Sequence, residues 1–317
     1  MQRFYTLLAL FLAPACFSAP RVTVLPSGAE NPTSDDGPII VWSEQFDTPR
    51  LMVVHFLRID LTDPELETFV QLSPDPDGPG PAEGTLTLPE TLMEDPAILA
   101  LINANAFSRV PSIPKQKGKK GWHLGRHINI EGLTVADGEE RSADQADRMP
   151  FWIDIYGKPH LGHPKKSDKV QHAVADWFSP LIVNGEILAL SKASDQSLLD
   201  ETDLKDSTID LSIHPRSMLG FGDTGEWLLL AVVDGRRKGY SLGMTLEEQA
   251  ILMQEKGCSQ AINLDGGGSS IMIIRNGNGD LVTVNRPSGS SHRPIPVMIG
   301  VRLRQEGNPQ KASETDR

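Results

Sequence analysis

The stretch Ala261-Ile-Asn-Leu-Asp-Gly-Gly-Gly-Ser-Ser-Ile-Met-Ile-Ile274 places one carboxylate, Asp265, between two apolar runs. The first run predicts a strand that ends at this carboxylate, where a side chain can face a cleft. The three glycines that follow allow backbone angles closed to other residues, and we expect their N–H groups to be bare for a ligand. Carboxylate, amides and serine hydroxyls together suit a polar or anionic ligand. A glycine run between strands can equally be a plain turn, and no lysine follows it as in a nucleotide-binding phosphate loop.

The residues before this stretch predict a strand, a loop and a helix. The continuous apolar run Trp227–Val233 is typical of a buried strand. It ends in Asp234-Gly-Arg-Arg237, and the capping box Thr245-Leu-Glu-Glu248 then begins a helix. If the strands on either side of this helix are parallel neighbours, a right-handed crossover places Asp234, Arg236 and Asp265 at one edge of the sheet.

Polar groups elsewhere follow the same pattern. Asn103 and Asn105 come at the end of the apolar run from residue 98, and their spacing of two puts both on one side of an extended chain. They are either turn residues or a pair of ligand-binding amides. Four arginines also fall at strand ends or in Gly/Pro-rich loops, where a planar fork of donors matches phosphate oxygens. They are Arg216, Arg236, Arg286 and Arg293.

Composition excludes some classes of function. The 317 residues carry 30 basic and 42 acidic side chains, a net charge of −12, and the pI is about 5.1. Such a chain is a poor candidate for binding nucleic acid, and only 6% of its residues are aromatic, too few for an extended base-stacking surface. Of the two cysteines, Cys258 is predicted to be a small buried residue and not a nucleophile.

The chain is predicted to contain one domain. Residues 1–19 have a positive start, a short apolar segment and small residues, which is typical of an export signal. Residues 20–38 are expected to form a linker or extended arm, 39–304 the domain, and 305–317 a disordered tail. The exported protein is expected in the periplasm or outside the cell. Lipidation of Cys16 is the alternative to removal of the signal, although the leucine that usually precedes a lipidated cysteine is missing. We expect no membrane-spanning segment elsewhere in the chain.

The fold class predicted from these patterns is α+β. Short apolar runs separated by turns predict a mixed, mostly antiparallel β-sheet core with a few packed helices. One domain is favoured because the polar groups at 103–107 and 214–294 have to meet in one cleft.

Five motifs resemble, in order, those of the phosphodiester glycosidase family. They are His214-Pro-Arg216, Asp234-Gly-Arg236, Ser241-Leu-Gly-Met-Thr245, Asn263-Leu-Asp-Gly-Gly-Gly-Ser-Ser270, and Asn285-Arg-Pro287 with Arg293-Pro294. The stretch Asn103-Ala-Asn-Ala-Phe107 is similar to the family's Asn-Gly-x-Phe-Phe, although Ala104 replaces its glycine and Ala106 its first phenylalanine. The resemblance covers roughly residues 50–304.

The resemblance implies a hydrolase that cuts between a sugar anomeric carbon and a phosphodiester, with a small-molecule or cell-surface glycan as substrate. Such a reaction requires stabilisation of an oxocarbenium-like centre and of the leaving phosphate. Asp265 is then the key carboxylate, Asp234 the leading second one, and Arg216, Arg236 and Arg286 hold the phosphate. The full set of predicted substrate-binding residues is Asn103, Asn105, Arg216, Arg236, Gly266, Gly267, Gly268, Ser269, Ser270, Asn285, Arg286 and Arg293.

Two other functions stay open at this point. The chain can be an exported module that binds glycans without catalysis, or a metal-dependent phosphodiesterase that acts at phosphorus. Clustered Asp and Asn side chains suit a divalent cation, but no spacing is diagnostic of a metal site. No cofactor is otherwise indicated, and the sequence does not define an oligomeric state.

Overall fold

The computed structural model describes residues 22–29, 32–113, 121–188 and 213–305. The predicted export signal at 1–19, with Cys16, lies outside these ranges, and so do residues 306–317 of the predicted tail. The described residues contain one α-helix, α1 (Leu246–Glu255), and three short 3-10 turns at Ser34–Asp36, Thr91–Met93 and Gly267–Ser269. The strands are β1 (Val22–Val24), β2 (Ile39–Phe46), β3 (Met52–Asp60), β4 (Leu66–Leu72), β5 (Gly84–Thr85), β6 (Ile98–Asn103), β7 (Phe107–Arg109), β8 (His127–Ile130), β9 (Thr134–Ala136), β10 (Glu139–Ser142), β11 (Pro150–Asp154), β12 (Pro159–Leu161), β13 (Val170–Ala175), β14 (Pro180–Val183), β15 (Glu186–Ile187), β16 (Arg216–Phe221), β17 (Trp227–Val233), β18 (Gln260–Asn263), β19 (Met272–Arg275), β20 (Leu281–Thr283) and β21 (Val297–Leu303).

Four sheets build the fold. The largest has eight strands in the order β1-β2-β3-β17-β16-β18-β14-β15. Two sheets have five strands each, β10-β9-β13-β11-β12 and β20-β19-β6-β21-β4, and a small one has the order β5-β8-β7. Strand β1, inside the segment predicted as linker or arm, runs parallel to β2, whereas the other named strand pairs of the described residues are antiparallel.

The predicted sheet architecture is confirmed, but the predicted helix content is wrong. A mostly antiparallel core is present, and the described residues hold one α-helix instead of several. The helix forms where the signals were strongest: the Thr245 hydroxyl accepts the N–H of Glu248, whose carboxylate accepts the N–H of Thr245. Most remaining apolar runs are short and bounded by turn residues, so they pair as strands.

Strand β17 is buried on both faces, as its continuous apolar run predicts. Leu228, Leu230 and Val232 pack into the core shared with the β6 and β21 sheet. Their neighbours Leu229 and Ala231 pack into a second core, which also receives α1. The large sheet is therefore the central layer of the domain.

Three strand ends meet at one edge of this central sheet. Strands β17 and β18 are not parallel neighbours, because β16 lies between them and is antiparallel to both. They nevertheless run in the same direction, so the residues after β17 and β18 lie beside the first residue of β16. This arrangement places Asp234, Asp265 and Arg216 at the same edge of the sheet.

Two further features bear on the sequence predictions. The Cys258 thiol is buried, and burial raises its pKa far above the usual range, which agrees with a small packing residue. Within the described ranges, no helix has the length and apolar character needed to cross a bilayer.

Candidate active site at the glycine turn

Asn103 supports the turn after β18 from its buried side. This amide is only 1% exposed. Its Nδ2 donates to the backbone carbonyl of Asp265 at 2.6 Å, and its Oδ1 accepts the Ser217 hydroxyl at 2.6 Å and the Ile271 N–H at 3.1 Å. Asn103 therefore connects β6 and β16 to both ends of the turn. That it contacts a substrate stays a prediction, and its contacts favour a positioning role.

Asp265 lies at the surface end of this arrangement and is partly exposed. Its Oδ1 accepts the N–H of Gly266 at 2.9 Å, and its carboxylate also accepts the hydroxyl of Ser269, which receives a bond from Arg293 Nη1 at 3.3 Å. Burial raises the pKa of Asp265 from 3.8 to about 6, while the Ser269 hydroxyl, the Arg293 charge and the Gly266 N–H oppose that rise. Asp265 consequently titrates close to neutral pH, as functional carboxylates often do.

The three glycines after Asp265 each lie against a different arginine. A side chain at Gly267 or Gly268 would crowd the guanidinium group beside it, one at Gly266 would meet the Pro215 carbonyl oxygen at 2.8 Å, and Gly267 also has a positive φ of 63°. The glycines therefore permit close approach by arginines. The pairs, with the distance from the position of an added Cβ, are Gly266 with Cδ of Arg216 (3.7 Å), Gly267 with Nη2 of Arg236 (3.2 Å) and Gly268 with Cζ of Arg293 (2.6 Å).

Two of the three glycine amides of the turn, those of Gly266 and Gly267, do not fulfil the expectation of bare donors. The Gly266 N–H binds the Asp265 carboxylate, the Gly267 N–H binds the Pro215 carbonyl at 2.8 Å, and the Ser269 N–H binds the Gly266 carbonyl at 3.1 Å. These bonds shape the turn from within the protein. The Arg236 and Arg293 guanidinium groups are therefore the charged donors on the open side of the turn that can meet an anion.

Arg236 and Arg293 form a cationic pair on the open side of the turn. Arg236 is exposed, and its backbone has φ +60°, a conformation that costs a residue with a side chain free energy. Burial, together with repulsion from Arg236, lowers the pKa of Arg293, although Asp265 opposes this. Arg236 also donates to His214 Nδ1 at 3.2 Å. An anion bound beside both guanidinium groups would relieve their repulsion and would make charge-assisted hydrogen bonds.

The other two predicted arginines occupy different places. Arg216 is 2% exposed, and its Nε donates to the Met244 carbonyl at 3.1 Å, so it supports the turn from inside. Arg286 is exposed, and its guanidinium carbon lies 4.5 Å from the centre of the Tyr240 ring. That Arg216, Arg236 and Arg286 hold a phosphate stays a prediction, and Arg236 and Arg293 are the two arginines that lie together on the open side of the turn.

Asp234 is buried at 1% exposure and surrounded by donors. Its Oδ2 accepts from His55 Nε2 at 3.0 Å and from the Tyr240 hydroxyl at 2.9 Å. Its Oδ1 accepts from Asn285 Nδ2 at 3.1 Å and from the Arg286 N–H at 2.8 Å. That Asp234 is a second catalytic carboxylate stays a prediction. The four bonds favour a role in positioning the loop that carries Arg286.

Two more predicted ligands have side-chain hydrogen bonds inside the protein, and the hydroxyl of a third is buried without one among the described residues. Asn105 is 2% exposed, and its Nδ2 donates to the carbonyls of Glu131 and Leu133, so it is held away from the Asp265 carbonyl that Asn103 binds. Asn285 is 5% exposed and accepts the Met272 N–H at 2.9 Å. The Ser270 hydroxyl is buried without a hydrogen-bond partner in the structure.

Sequence reasoning missed two members of this network, Tyr240 and Ser217. Tyr240 bonds to Asp234, and burial followed by the Asp234 charge raises its pKa to about 12, so it stays protonated as a donor. Ser217 was not recognised as the partner of Asn103. A further member is His55, whose Nδ1 lies 2.8 Å from the Ser43 hydroxyl oxygen and whose Nε2 lies 3.0 Å from Asp234 Oδ2. The available signal for Tyr240 was its place in the polar loop directly after Asp234-Gly-Arg236.

One group in the described ranges has side chains of the kind that bind metals. Glu67, Asp137 and His172 bring ligand atoms within 4.8 Å of one another. Arg302 already lies among them, with its Nε 3.1 Å from Glu67 and its Nη2 2.6 Å from Asp137. The His172 Nδ1 faces the N–H groups of two residues, so its Nε2 keeps the proton and is unsuited to bind a metal. We therefore regard the group as an ion-pair network between sheets.

Comparison with known proteins places this geometry in context. A sequence model of the phosphodiester glycosidase family matches residues 116–302. No curated protein shows a significant match. The chain is similar in structure to the zebrafish N-acetylglucosamine-1-phosphodiester alpha-N-acetylglucosaminidase catalytic domain auto-inhibited by its pro-peptide, with a TM-score of 0.57 and 20% identity over 84% of this chain and 82% of that one. It is also similar to a hypothetical protein from Synechocystis (TM-score 0.57, 14% identity, 84% and 64% covered) and to a candidate exported protein from Burkholderia pseudomallei (TM-score 0.54, 15% identity, 80% and 74% covered).

Proposed function

The chain belongs to the phosphodiester glycosidase family, and from this premise we propose that it hydrolyses the bond between a sugar anomeric carbon and phosphate in a sugar-1-phosphodiester. The observation that carries the proposal is the pair of guanidinium groups, Arg236 and Arg293, at the glycine turn next to Asp265. Such a pair suits a phosphate, and the adjacent carboxylate suits the positive charge that develops at the anomeric carbon.

The proposed reaction divides the work between these three residues. The bond from the anomeric carbon to the phosphate oxygen breaks, and its electron pair leaves with the phosphate, which Arg236 and Arg293 hold. Water supplies the new oxygen at the anomeric carbon, and its surplus proton passes to solvent through Asp265. Because phosphate is a good leaving group, the reaction needs no strong general acid. Asp265 acts in its ionised form, and Asn103 and Ser269 fix its position.

N-Acetylglucosamine is our proposed sugar for the first assays, because the zebrafish protein is named for that substrate. We further propose that the protein works in the periplasm or outside the cell. This rests on the sequence pattern of residues 1–19 and on the similarity to a candidate exported protein. The domain proposed for this activity is residues 39–304.

A labelled hydrolysis tests the proposal. N-Acetylglucosamine 1-(methyl phosphate) is incubated with the protein in water enriched in oxygen-18, and both products are analysed by mass spectrometry. We expect the label in the sugar. Label in the phosphate, together with loss of activity in a chelator, would instead support a metal-dependent phosphodiesterase.

Two variants and a control assign the roles. Asp265→Asn should lower kcat/KM about 1,000-fold by removing the ionised carboxylate, and Arg293→Met should lower it about 100-fold by removing a phosphate ligand. Lys238→Met removes an exposed cation close to Arg236 in sequence and should leave the rate close to that of the wild type. Sugar phosphodiester binding without turnover, unchanged in Asp265→Asn, would support the non-catalytic glycan-binding module.

A further inference from the structure

A cleft of about 940 Å³ lies beside the glycine turn and is not used by the reaction as proposed above. We call it the side cleft. It is lined by residues of the segment 286–294, by Arg237, and by the turns at 88–90 and 122–124. Its volume lies at the upper end of the range for small-molecule sites and exceeds the space that one sugar ring needs.

The segment 286–294 faces both the side cleft and the glycine turn. The Arg293 side chain reaches the turn at Gly268 and Ser269, and the Ser288 hydroxyl donates to the Gly267 carbonyl at 3.4 Å. Residues on either side of Arg293 line the side cleft, as do residues 286 and 287. A phosphodiester held by Arg293 would therefore have one of its two substituents near the cleft.

The lining of the side cleft combines two arginines and exposed apolar side chains with Glu90, whose carboxylate pairs with His292. Arg237 and Arg286 lie on it, and the Arg237 guanidinium donates to the Pro287 carbonyl at 2.6 Å. Leu124 is 55% exposed and Leu88 is 36% exposed, and both lie on the cleft with Trp122. An occupant with an anionic group at one end and an apolar body would complement both parts of this lining.

We propose that the side cleft binds the aglycone on the far side of the phosphate, and that this aglycone carries an extended apolar chain. The inference rests on the proposed function, because it assigns the second substituent of the same phosphodiester. It makes Leu124 and Leu88 residues that determine specificity and not residues that act in bond cleavage. It also makes a lipid-like phosphodiester the preferred substrate class.

A series of aglycones tests the inference. N-Acetylglucosamine 1-phosphodiesters with methyl, butyl, octyl and glucosyl aglycones are compared by kcat/KM. We expect the octyl compound to exceed the methyl compound by about 100-fold, a fraction of what full burial of seven methylene groups would give. In Leu124→Ser that ratio should collapse towards one. Leu281→Ser, a matched change of a 37% exposed leucine on β20 outside the cleft, should keep it.

Several results would overturn the inference. These are equal rates for methyl and octyl compounds, a ratio that Leu124→Ser leaves intact, or preference for the glucosyl compound, which would indicate a glycan as the occupant. Binding of octyl phosphate and methyl phosphate, measured by calorimetry, separates this inference from the proposed function. Suppose that no phosphodiester is hydrolysed, but octyl phosphate binds more tightly than methyl phosphate and Leu124→Ser removes this preference. The proposed function then fails and the cleft assignment stands. If octyl phosphate shows no such preference, the cleft assignment fails as well.

Discussion

Replacing Asp265 by Asn should stabilise the protein at pH 8 while it lowers kcat/KM about 1,000-fold. The pKa of this carboxylate rises from 3.8 to about 6 on folding, mainly through burial. A difference of about 2 pKa units at about 1.4 kcal/mol each disfavours the ionised form in the folded state by about 3 kcal/mol. Asn carries no charge at any pH and resembles the protonated acid in size. We therefore expect Asp265→Asn to be more stable than the wild type by up to about 3 kcal/mol at pH 8.

The size of this stability difference depends on pH. Between pH 3.8 and about 6 the unfolded chain has released the Asp265 proton, whereas the folded chain still holds it. The free energy of unfolding of the wild type therefore falls as pH rises through this window, and the stabilising contribution of the protonated form is lost above it. The difference between Asp265→Asn and the wild type should be small at pH 4, about 0.6 kcal/mol, and reach its maximum at pH 8.

Urea unfolding monitored by tryptophan fluorescence at pH 4, 6 and 8 measures this difference. Asp223→Asn, at an exposed carboxylate in the turn before β17, is the matched control and should show little difference at any pH. The activity of the wild type should rise with pH through about 6, because Asp265 is proposed to act when ionised. A variant that is less stable than the wild type at pH 8 and equal at pH 4 would refute the reasoning, since the nearby guanidinium groups would then outweigh burial.

Three further predictions concern the turn, an ion-pair network and the helix. In Gly268→Ala the new Cβ displaces a guanidinium group and should lower kcat/KM about 100-fold, whereas Gly277→Ala, with no atom within 4 Å of its Cβ, should have normal kinetics. Arg302→Met removes the arginine partner of the fully buried Glu67 carboxylate, whose remaining ion-pair partner is His172, and should lower the free energy of unfolding by about 3 kcal/mol; a loss below 1 kcal/mol in urea would contradict this. Thr245→Ala removes the helix cap and should cost about 1 kcal/mol in the same measurement.

The sequence defines elements well where a local signal is strong. The run Trp227–Val233 and the capping box at Thr245 were predicted with the observed bounds or close to them. The order of strands in a sheet is a different matter, because it depends on pairings distant in sequence. Nothing local to β17 and β18 indicates that β16 inserts between them, so the edge shared by Asp234 and Asp265 was predicted through an arrangement that does not form.

The site was predictable as a set of residues but not as a set of roles. Motif order identified the carboxylates and arginines, yet residue type does not reveal burial. Asp234 and Asp265 both follow a strand, and only the structure distinguishes a carboxylate enclosed by four donors from one that is partly exposed. The expectation of a bare amide failed at Gly267 for the same reason, since its acceptor, the Pro215 carbonyl, is supplied by another strand end.

The position of β21 constrains how this protein can be made. The C-terminal strand lies between β6 and β4, and it pairs Val297 with Leu72 across more than two-thirds of the chain. Neither neighbour has its full set of backbone hydrogen bonds until that segment has left the ribosome, so the nascent chain cannot close this sheet early. The sheet therefore stays open in the nascent chain until residue 303 has been synthesised. Any truncation that removes β21 should yield aggregation and not a smaller folded product.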